Sequence, residues 1–115
     1  MPKNCRIRKA GEFTAVLNLK HEASSNLIQV YAKSNALAYA RLGLIVSKRI
    51  ERHAVKRNRI KRILRETFRV SRQDEKIKTM DWVIRLRRPV IKHENELQLI
   101  TETRLLMLKL VQCHD

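Results

Sequence analysis

A run of basic side chains from Lys56 to Arg69, K-R-N-R-I-K-R-I-L-R-E-T-F-R, has the residue types and spacing that bind phosphate groups. At about 100° per residue its apolar side chains fall on one stripe, as in an amphipathic helix that lies on a core. This stripe contains Ile60, Ile63, Leu64, Thr67 and Phe68. The opposite, polar face contains Asn58, Lys61, Arg62, Arg65 and Arg69. Because guanidinium groups donate paired hydrogen bonds to phosphate oxygens, the pattern predicts a helix that contacts a polyanion.

The charges on this helix are poorly balanced for a protein that folds without a partner. Only Glu66 stands among the cations at the spacing that forms ion pairs along a helix. Lys56, Arg57 and Arg59 crowd the first turn, where the helix dipole favours acids. An anionic partner would offset both effects, since the amides at a helix N-terminus also bind phosphate. Replacement of Arg57, Arg62 and Arg65 with alanine is therefore expected to leave the fold intact or slightly more stable.

The whole chain is basic, with 26 Lys and Arg against 11 Asp and Glu in 115 residues and a formal net charge of +15. Between Ser47 and Arg72 there are 11 basic and 2 acidic residues, so this segment holds +9 of that charge. Concentrated positive charge in a small chain is typical of nucleic-acid-binding proteins. The length predicts one domain over residues 1–115. The N-terminus lacks the apolar run of a signal peptide and no apolar run is long enough to span a bilayer, so we expect a soluble, cytoplasmic protein.

The remaining elements follow from hydrophobic periodicity. Glu12 to Leu19 is predicted as a short helix, and Leu27 to Lys33, Arg41 to Ser47 and Trp82 to Arg87 are predicted as strands that alternate apolar and polar side chains. The segment between the first two strands allows an antiparallel hairpin. This order of elements, with the basic helix before the last strand, predicts an α+β domain.

A C-terminal helix carries two apolar stripes. Asn95 followed by Gln98 is close to the capping box that opens a helix. The main stripe contains Leu97, Ile100, Met107, Leu108 and Val111. A second stripe on the far side contains Leu99, Leu106 and Leu110. Whether the second stripe packs under the N-terminal segment or faces a partner stays open.

One face of the predicted sheet should be polar and basic. It would display Gln29, Tyr31, Lys33, Arg41, Arg85 and Arg87. Such a surface suits single-stranded nucleic acid, because bases stack on an aromatic ring while cations follow the backbone. An ordinary half-buried strand tyrosine is the alternative interpretation of Tyr31.

Four segments resemble the bacterial ribonuclease P protein component: R-L-G at 41–43, S-K-R at 47–49, A-V-K-R-N-R-I-K-R-I-L-R-E-T-F-R at 54–69 and M-D-W-V-I-R-L-R-R-P at 80–89. The resemblance implies a compact α+β fold with a left-handed crossover through the basic helix. It also implies a small subunit that binds a catalytic RNA and precursor tRNA, with no membrane or DNA partner, in a complex that removes the 5′ leader. Mg²⁺ is then expected in the ribonucleoprotein, and no cofactor is expected on the polypeptide alone.

The resemblance also implies roles for individual residues. The family's R-N-R motif falls on Arg57, Asn58 and Arg59, which would meet the catalytic RNA and help organise metal ions near the cleavage site. With the charged segment, the predicted RNA contacts are Ser47, Lys48, Arg49, Lys56, Arg57, Asn58, Arg59, Lys61, Arg62, Arg65 and Arg69. The aromatic positions of the family's leader-binding cleft fall on Phe13, Leu17 and Tyr31, to which the basic sheet face adds Arg85 and Arg87. Leu17 departs from the family, in which an aromatic residue is common at that position.

Chemistry by the polypeptide itself is not predicted. A protein nuclease needs a paired acid and base, or carboxylates that hold two metal ions. Asp74, Glu75 and Asp81 form no such pair beside a base, and His53 is the one candidate base near the basic helix. We therefore predict no catalytic residue and no metal ligand, and place the hydrolytic chemistry in the RNA.

Two other classes of protein share this charge and size. A structural ribosomal or RNA-binding protein without a processing role would not need aromatic residues on an open cleft. A helix-turn-helix protein would place Arg57, Asn58 and Arg62 in the major groove of DNA. The alternating strands around the basic helix argue against the second class.

Overall fold

Three helices and a four-stranded sheet account for most of the residues that the structure describes. A computed structural model describes residues 5–19, 21–37, 39–91 and 93–113. The helices are α1 (Ala10–Asn18), α2 (Ala54–Ser71) and α3 (His93–Cys113), with a short 3₁₀ turn over Ile77–Thr79. The strands are β1 (Glu22–Ser24), β2 (Ile28–Ser34), β3 (Arg41–Ile45) and β4 (Met80–Leu86). The predicted α+β class is confirmed.

The sheet has the strand order β1-β2-β4-β3. Strand β2 is antiparallel to both of its neighbours, β1 and β4, whereas β3 is parallel to β4. The predicted hairpin between β2 and β3 is therefore wrong, because β4 lies between them. Six of the seven side chains of β4 are buried. A strand that is apolar on both faces needs neighbours and cover on both sides, which a central position supplies.

The connection from β3 through α2 to β4 joins two adjacent parallel strands. This confirms a crossover through the basic helix, while its left-handed sense stays a prediction. The N-terminal segment continues the sheet beyond β3, where Arg6 forms a parallel bridge with Leu42 and the Ile7 amide donates to the Leu42 carbonyl at 2.9 Å.

The predicted apolar stripe of the basic helix faces the main core. Ile60, Leu64, Thr67 and Phe68 are buried, and Ile63 packs at the edge of this cluster. Opposite them lie Trp82 and its strand neighbours, and Trp82 Nε1 donates to the Ile77 carbonyl at 3.0 Å. Burial of side chains of this size contributes about 1.5–3 kcal/mol each. The stripe fixes α2 on the sheet and leaves its basic face outside.

The core stripe of α3 differs from the prediction. Leu97 and Leu108 are 65% and 41% exposed. The second stripe of Leu99, Leu106 and Leu110 is buried instead, together with Met107 and Val111. Thr103 lies at the centre of this buried stripe, and its hydroxyl donates to the Leu99 carbonyl at 2.7 Å. Because threonine is polar, its position interrupts the apolar pattern by which the stripe would have been recognised as the core face.

The predicted capping box of α3 is also wrong. The helix begins at His93, so Asn95 lies within it. The Asn95 amide donates to Gln98 Oε1 at 3.0 Å rather than opening the helix.

Helix α1 covers part of the second sheet face. Its residue Val16 packs with Ile7, Tyr31 and Val83 in a second apolar cluster. Phe13, Leu17 and Ile45 pack against the edge of this cluster. The prediction of an open basic floor is corrected accordingly, because the apolar stripe of α1 needs an apolar surface and finds it there.

Candidate nucleic-acid interface

The outer face of α2 presents its cations to solvent. Asn58, Arg62 and Arg69 are exposed, and Lys61 and Arg65 are half-buried. Arg69 is paired with Glu66 at 2.6 Å, and this contact raises the pKa of Arg69 and lowers that of Glu66. The predicted helix and its basic face are thus present, with one intrahelical ion pair on it.

The first turn of α2 has partners that the charge pattern did not reveal. Arg57 Nη1 donates to the backbone carbonyls of Glu51 at 3.0 Å and Arg52 at 2.9 Å. Arg59 pairs with Glu96 of α3 at 2.9 Å, and this hydrogen bond raises the pKa of Arg59. The inference that only an external anion offsets these cations is therefore wrong for Arg57 and Arg59.

A small hollow lies between α1, β3 and α2. It has a volume of about 170 Å³ and is lined by Arg6, Ile7, Phe13, Leu42, Gly43, Leu44, Lys61 and Arg65. Partial burial, and then the charge of Arg6, lower the pKa of Arg65. Phe13 lies on Gly43 so closely that a Cβ at that glycine would sit 2.4 Å from the Phe13 ring. The hollow therefore brings Phe13 close to the basic helix, while Phe13 also packs with Leu17 against the cluster that contains Tyr31.

A larger groove, with a volume of about 760 Å³, opens beside this hollow. Its lining comes from α1, all four strands and the segment between β3 and α2, namely Leu17, Glu22, Tyr31, Ile45, Ser47, Arg49, Ile50, Arg85 and Leu86. Leu17, Tyr31 and Arg85, which were predicted to contact the leader, line this groove. Ser47 and Arg49, which were predicted to contact the catalytic RNA, line the same groove. Apolar walls and two guanidinium groups therefore surround one open groove.

Three other predicted residues lie outside this lining. Arg87 is exposed, and its Nη1 donates to the Ser25 carbonyl at 2.5 Å. Lys48 and Lys56 are exposed as well. Arg87 is thus held at the turn between β1 and β2 rather than in the groove.

Tyr31 is only 7% exposed and forms part of the groove wall. Its neighbours are apolar side chains of the second cluster. Tyr31 is therefore more deeply buried than the half-buried strand tyrosine of the alternative interpretation, and its ring is not an open stacking surface. Its direct partner across the strands is Glu22 of β1.

Four lining residues were missed by the sequence reasoning: Glu22, Ile45, Ile50 and Leu86. Ile45 lies on the predicted polar face of its strand and could have been found from that alternation. No sequence pattern pointed to Glu22, because its strand β1 is only three residues long and too short to show an alternation of apolar and polar side chains.

A charged network fixes α1 over the sheet. Arg41 Nη1 lies 2.6 Å from Glu12 of α1, while its Nε and Nη2 donate to buried Asp81 at 2.9 and 2.6 Å. The Asn35 amide also donates to Asp81, at 2.8 Å. The hydrogen bonds to Asp81 and Glu12 raise the pKa of Arg41, and the bond from Arg41 lowers the pKa of Glu12. Arg41 is therefore paired with two carboxylates, whereas the sequence predicted it on an open, basic face of the sheet.

The described side chains are suited to binding anions and bases. Within residues 5–19, 21–37, 39–91 and 93–113, no group of three or more His, Cys, Asp or Glu side chains is placed to hold a metal ion. Among these same residues, no helix is long and apolar enough to cross a membrane.

Comparison with known proteins gives a consistent result. A family model described as Ribonuclease P matches residues 1–111. The ribonuclease P protein component of Nitrosomonas europaea is 49% identical over 90 residues, which cover 78% of this chain and 74% of the relative. That of Chromobacterium violaceum is 36% identical over 108 residues, covering 94% and 87%. The solved structure of the Staphylococcus aureus RNase P protein matches with a TM-score of 0.77 at 29% identity, over 91% of this chain and 94% of that chain.

Proposed function

The chain belongs to the ribonuclease P protein family, as the protein component of a tRNA-processing ribonucleoprotein, and from this premise we propose that two adjoining surfaces divide its binding work. The outer face of α2 binds the catalytic ribonuclease P RNA. The groove beside it binds the single-stranded 5′ leader of precursor tRNA.

The observation that carries this proposal is the mixed lining of the groove. Arg49 and Arg85 supply two cations, and Leu17, Ile45 and Tyr31 supply apolar walls. A single strand presents both phosphates and base faces, and proteins bind it by combining cations with apolar or aromatic surfaces. A volume of about 760 Å³ lies within the range of sites that hold a ligand of a few hundred daltons.

The exposed face of α2 suits a folded RNA for a different reason. Its cations lie along one side of an 18-residue helix. Such a face meets phosphates, which position a protein without reading sequence. Ser47 and Arg49 lie where the two surfaces meet, so both partners contact this segment in our proposal.

Catalysis in this proposal belongs to the RNA. The interface offers cations, Asn58 and backbone amides rather than a carboxylate cluster, and that donor set suits phosphates better than a metal ion. Mg²⁺ would then be held by phosphates of the RNA. The protein would contribute by binding and orienting precursor tRNA, and we expect it in the cytoplasm, where precursor tRNA is made.

Matched charge removals on the reconstituted complex test the division of work. Arg85→Gln should weaken binding of leader-bearing precursor tRNA by roughly five-fold while leaving leaderless tRNA unchanged, because one phosphate or base contact is lost. Arg62→Gln should instead weaken association with the catalytic RNA. Lys109→Gln, which removes one exposed charge from α3, should change neither.

Arg85 is a better probe than Tyr31, because Arg85 is exposed and Tyr31→Ala would leave a cavity in the second cluster. Equal losses for leader-bearing and leaderless tRNA in Arg85→Gln would favour a structural RNA-binding protein without a leader site. Tight binding of duplex DNA at physiological salt would favour the DNA-binding alternative.

A further inference from the structure

A furrow runs along the seam between α2 and α3. Three hollows, with volumes of about 210, 330 and 360 Å³, follow one another along this seam. The first two share Ile63, and the last two share Val70 and Arg104. The hollows therefore form one continuous trough. Both helices pack on the main core, whereas the groove lies with α1 on the other side of the sheet.

The walls of the furrow are two helices that run in the same direction. Near the start of both helices, Arg59 pairs with Glu96 at 2.9 Å. Near their ends, Val70 and Leu108 line one hollow. Backbone groups within an α-helix are bonded to one another, so these walls offer no free edge to an extended chain. A helix satisfies its own backbone and packs well against two others, so the trough suits a third helix.

Aliphatic side chains in and beside the furrow are uncovered. Val70 and Leu108 are exposed, and so are Leu97 and Leu105 of α3. At about 100° per residue, Leu97, Leu105 and Leu108 lie within about 80° of one another around the helix axis. Apolar side chains that are grouped on one surface, rather than scattered, are typical of an interaction site.

The charges around the furrow favour an acidic occupant. Arg62 and Arg104 are exposed at its rim, and neither forms an ion pair within the described part of the chain. The acids along the furrow already have partners: Glu66 pairs with Arg69, Glu96 pairs with Arg59, and Asp74 accepts from the Lys76 amide at 2.9 Å. A net charge of +15 opposes the association of two copies of this chain.

The lining of the furrow suits a protein better than a nucleic acid. None of the described residues that line the three hollows is aromatic, so a base finds no ring on which to stack. Phosphates and sugars gain nothing from contact with Ile63, Val70 and Ile100. An apolar centre with a charged rim is the usual arrangement of a protein–protein interface.

We propose that the furrow between α2 and α3 is a docking site for an acidic amphipathic helix of a partner protein. Ile63 and Val70 are two turns apart on α2, or about 10.5 Å. The bound helix therefore presents apolar side chains at i, i+3 or i+4, and i+7. Its acids flank that stripe and meet Arg62 and Arg104. Binding there leaves the groove on the other side of the sheet open.

Peptide binding to the full chain tests this site. The probe is a peptide of 18 residues, the length of α2, with leucine on one helical stripe and glutamate on its flanks. A scrambled peptide has the same composition and charge but no stripe. Fluorescence anisotropy at physiological salt should show that the scrambled peptide binds roughly ten-fold more weakly, because its apolar anchors are lost.

Variants of the chain locate the binding surface. Val70→Ser combined with Leu108→Ser should weaken binding of the striped peptide by roughly ten-fold. Leu19→Ser removes an exposed leucine outside the furrow and should change nothing. Arg104→Glu should weaken binding by roughly three-fold, because an attractive rim charge is reversed. Lys109→Glu, at an exposed position of the same helix outside the furrow lining, should have a smaller effect.

Several outcomes would overturn the inference. Equal binding of the two peptides would show charge attraction alone, and no binding of the striped peptide would remove the site. Weaker association with the catalytic RNA in the Val70→Ser, Leu108→Ser variant would assign the furrow to RNA. Self-association of the parent in sedimentation that this variant abolishes would assign the furrow to a second copy of the chain.

Discussion

Arg57→Ala should destabilise the protein, even though it removes one charge from a crowded basic helix. Arg57 Nη1 donates to the carbonyls of Glu51 and Arg52 at 3.0 and 2.9 Å and so fastens the segment before α2 to its first turn. Hydrogen bonds from charged donors contribute about 1.5–3 kcal/mol when shielded. Arg57 is half-buried, and relief of repulsion returns a few tenths of a kcal/mol. We therefore expect a net loss of about 1–2 kcal/mol.

Urea and thermal unfolding followed by circular dichroism measure this loss. For a chain of this size, 1–2 kcal/mol lowers the unfolding midpoint by roughly 4–8 °C. Arg62→Ala is the matched control, since Arg62 is exposed on the same helix, and its stability should stay within about 0.5 kcal/mol of the parent. Equal stability of the two variants would refute the role assigned to Arg57 and restore the expectation drawn from charge pattern alone.

Three further predictions concern charge, packing and pH. Binding of the chain to the catalytic RNA should weaken steeply with salt, with a log–log slope more negative than about −3, and a flat response in a filter-binding titration would remove the basis for phosphate contacts. Gly43→Ala should cost about 1–3 kcal/mol in urea unfolding, because the new Cβ displaces the Phe13 ring, and unchanged stability would show that the ring moves freely. Arg41 lowers the pKa of Glu12, so the stability that Glu12 contributes is present above its ordinary pKa of 4.5 and is lost as pH falls through the lowered value. Glu12→Gln should therefore lose less stability between pH 5 and about 3 than the parent, and parallel curves would contradict the linkage.

The basic helix was predictable because the pattern that predicts it lies within one continuous segment of the sequence. Its apolar stripe repeats at helical spacing, and Ile60, Leu64 and Phe68 are buried as expected. Its compensating contacts were not predictable, since Glu96 is far along the chain and the Arg57 acceptors are backbone carbonyls that carry no sequence signal.

Strand positions were predictable, but strand neighbours were not. The alternation of β2 and β3 is equally compatible with a hairpin and with two separated strands. Strand β4 lies between them because both of its faces are apolar and must be covered. Trp82 and Ile84 are buried on one face and Val83 on the other, and this cover comes from the whole sheet and its helices. The place of α1 was hidden for the same reason, because its contact with Tyr31 joins distant segments.

The candidate site was predictable in its residue types and less so in its grouping. Leu17, Tyr31 and Arg85 do line one groove, and the S-K-R segment joins them through Ser47 and Arg49. Phe13 packs with Leu17 and Tyr31 in the second cluster but does not line the groove, because its ring lies on Gly43, a contact between α1 and β3 that no local pattern encodes.

Photo-crosslinking tests the leader site most directly. A benzoylphenylalanine at Leu17 would stand in the groove wall, and the same residue at exposed Thr101 of α3 serves as control. In the complex with catalytic RNA and precursor tRNA, the probe at position 17 should crosslink to leader nucleotides, and the probe at position 101 should not. Crosslinks from position 17 that fall only on the catalytic RNA or the mature tRNA body would contradict a leader site in this groove.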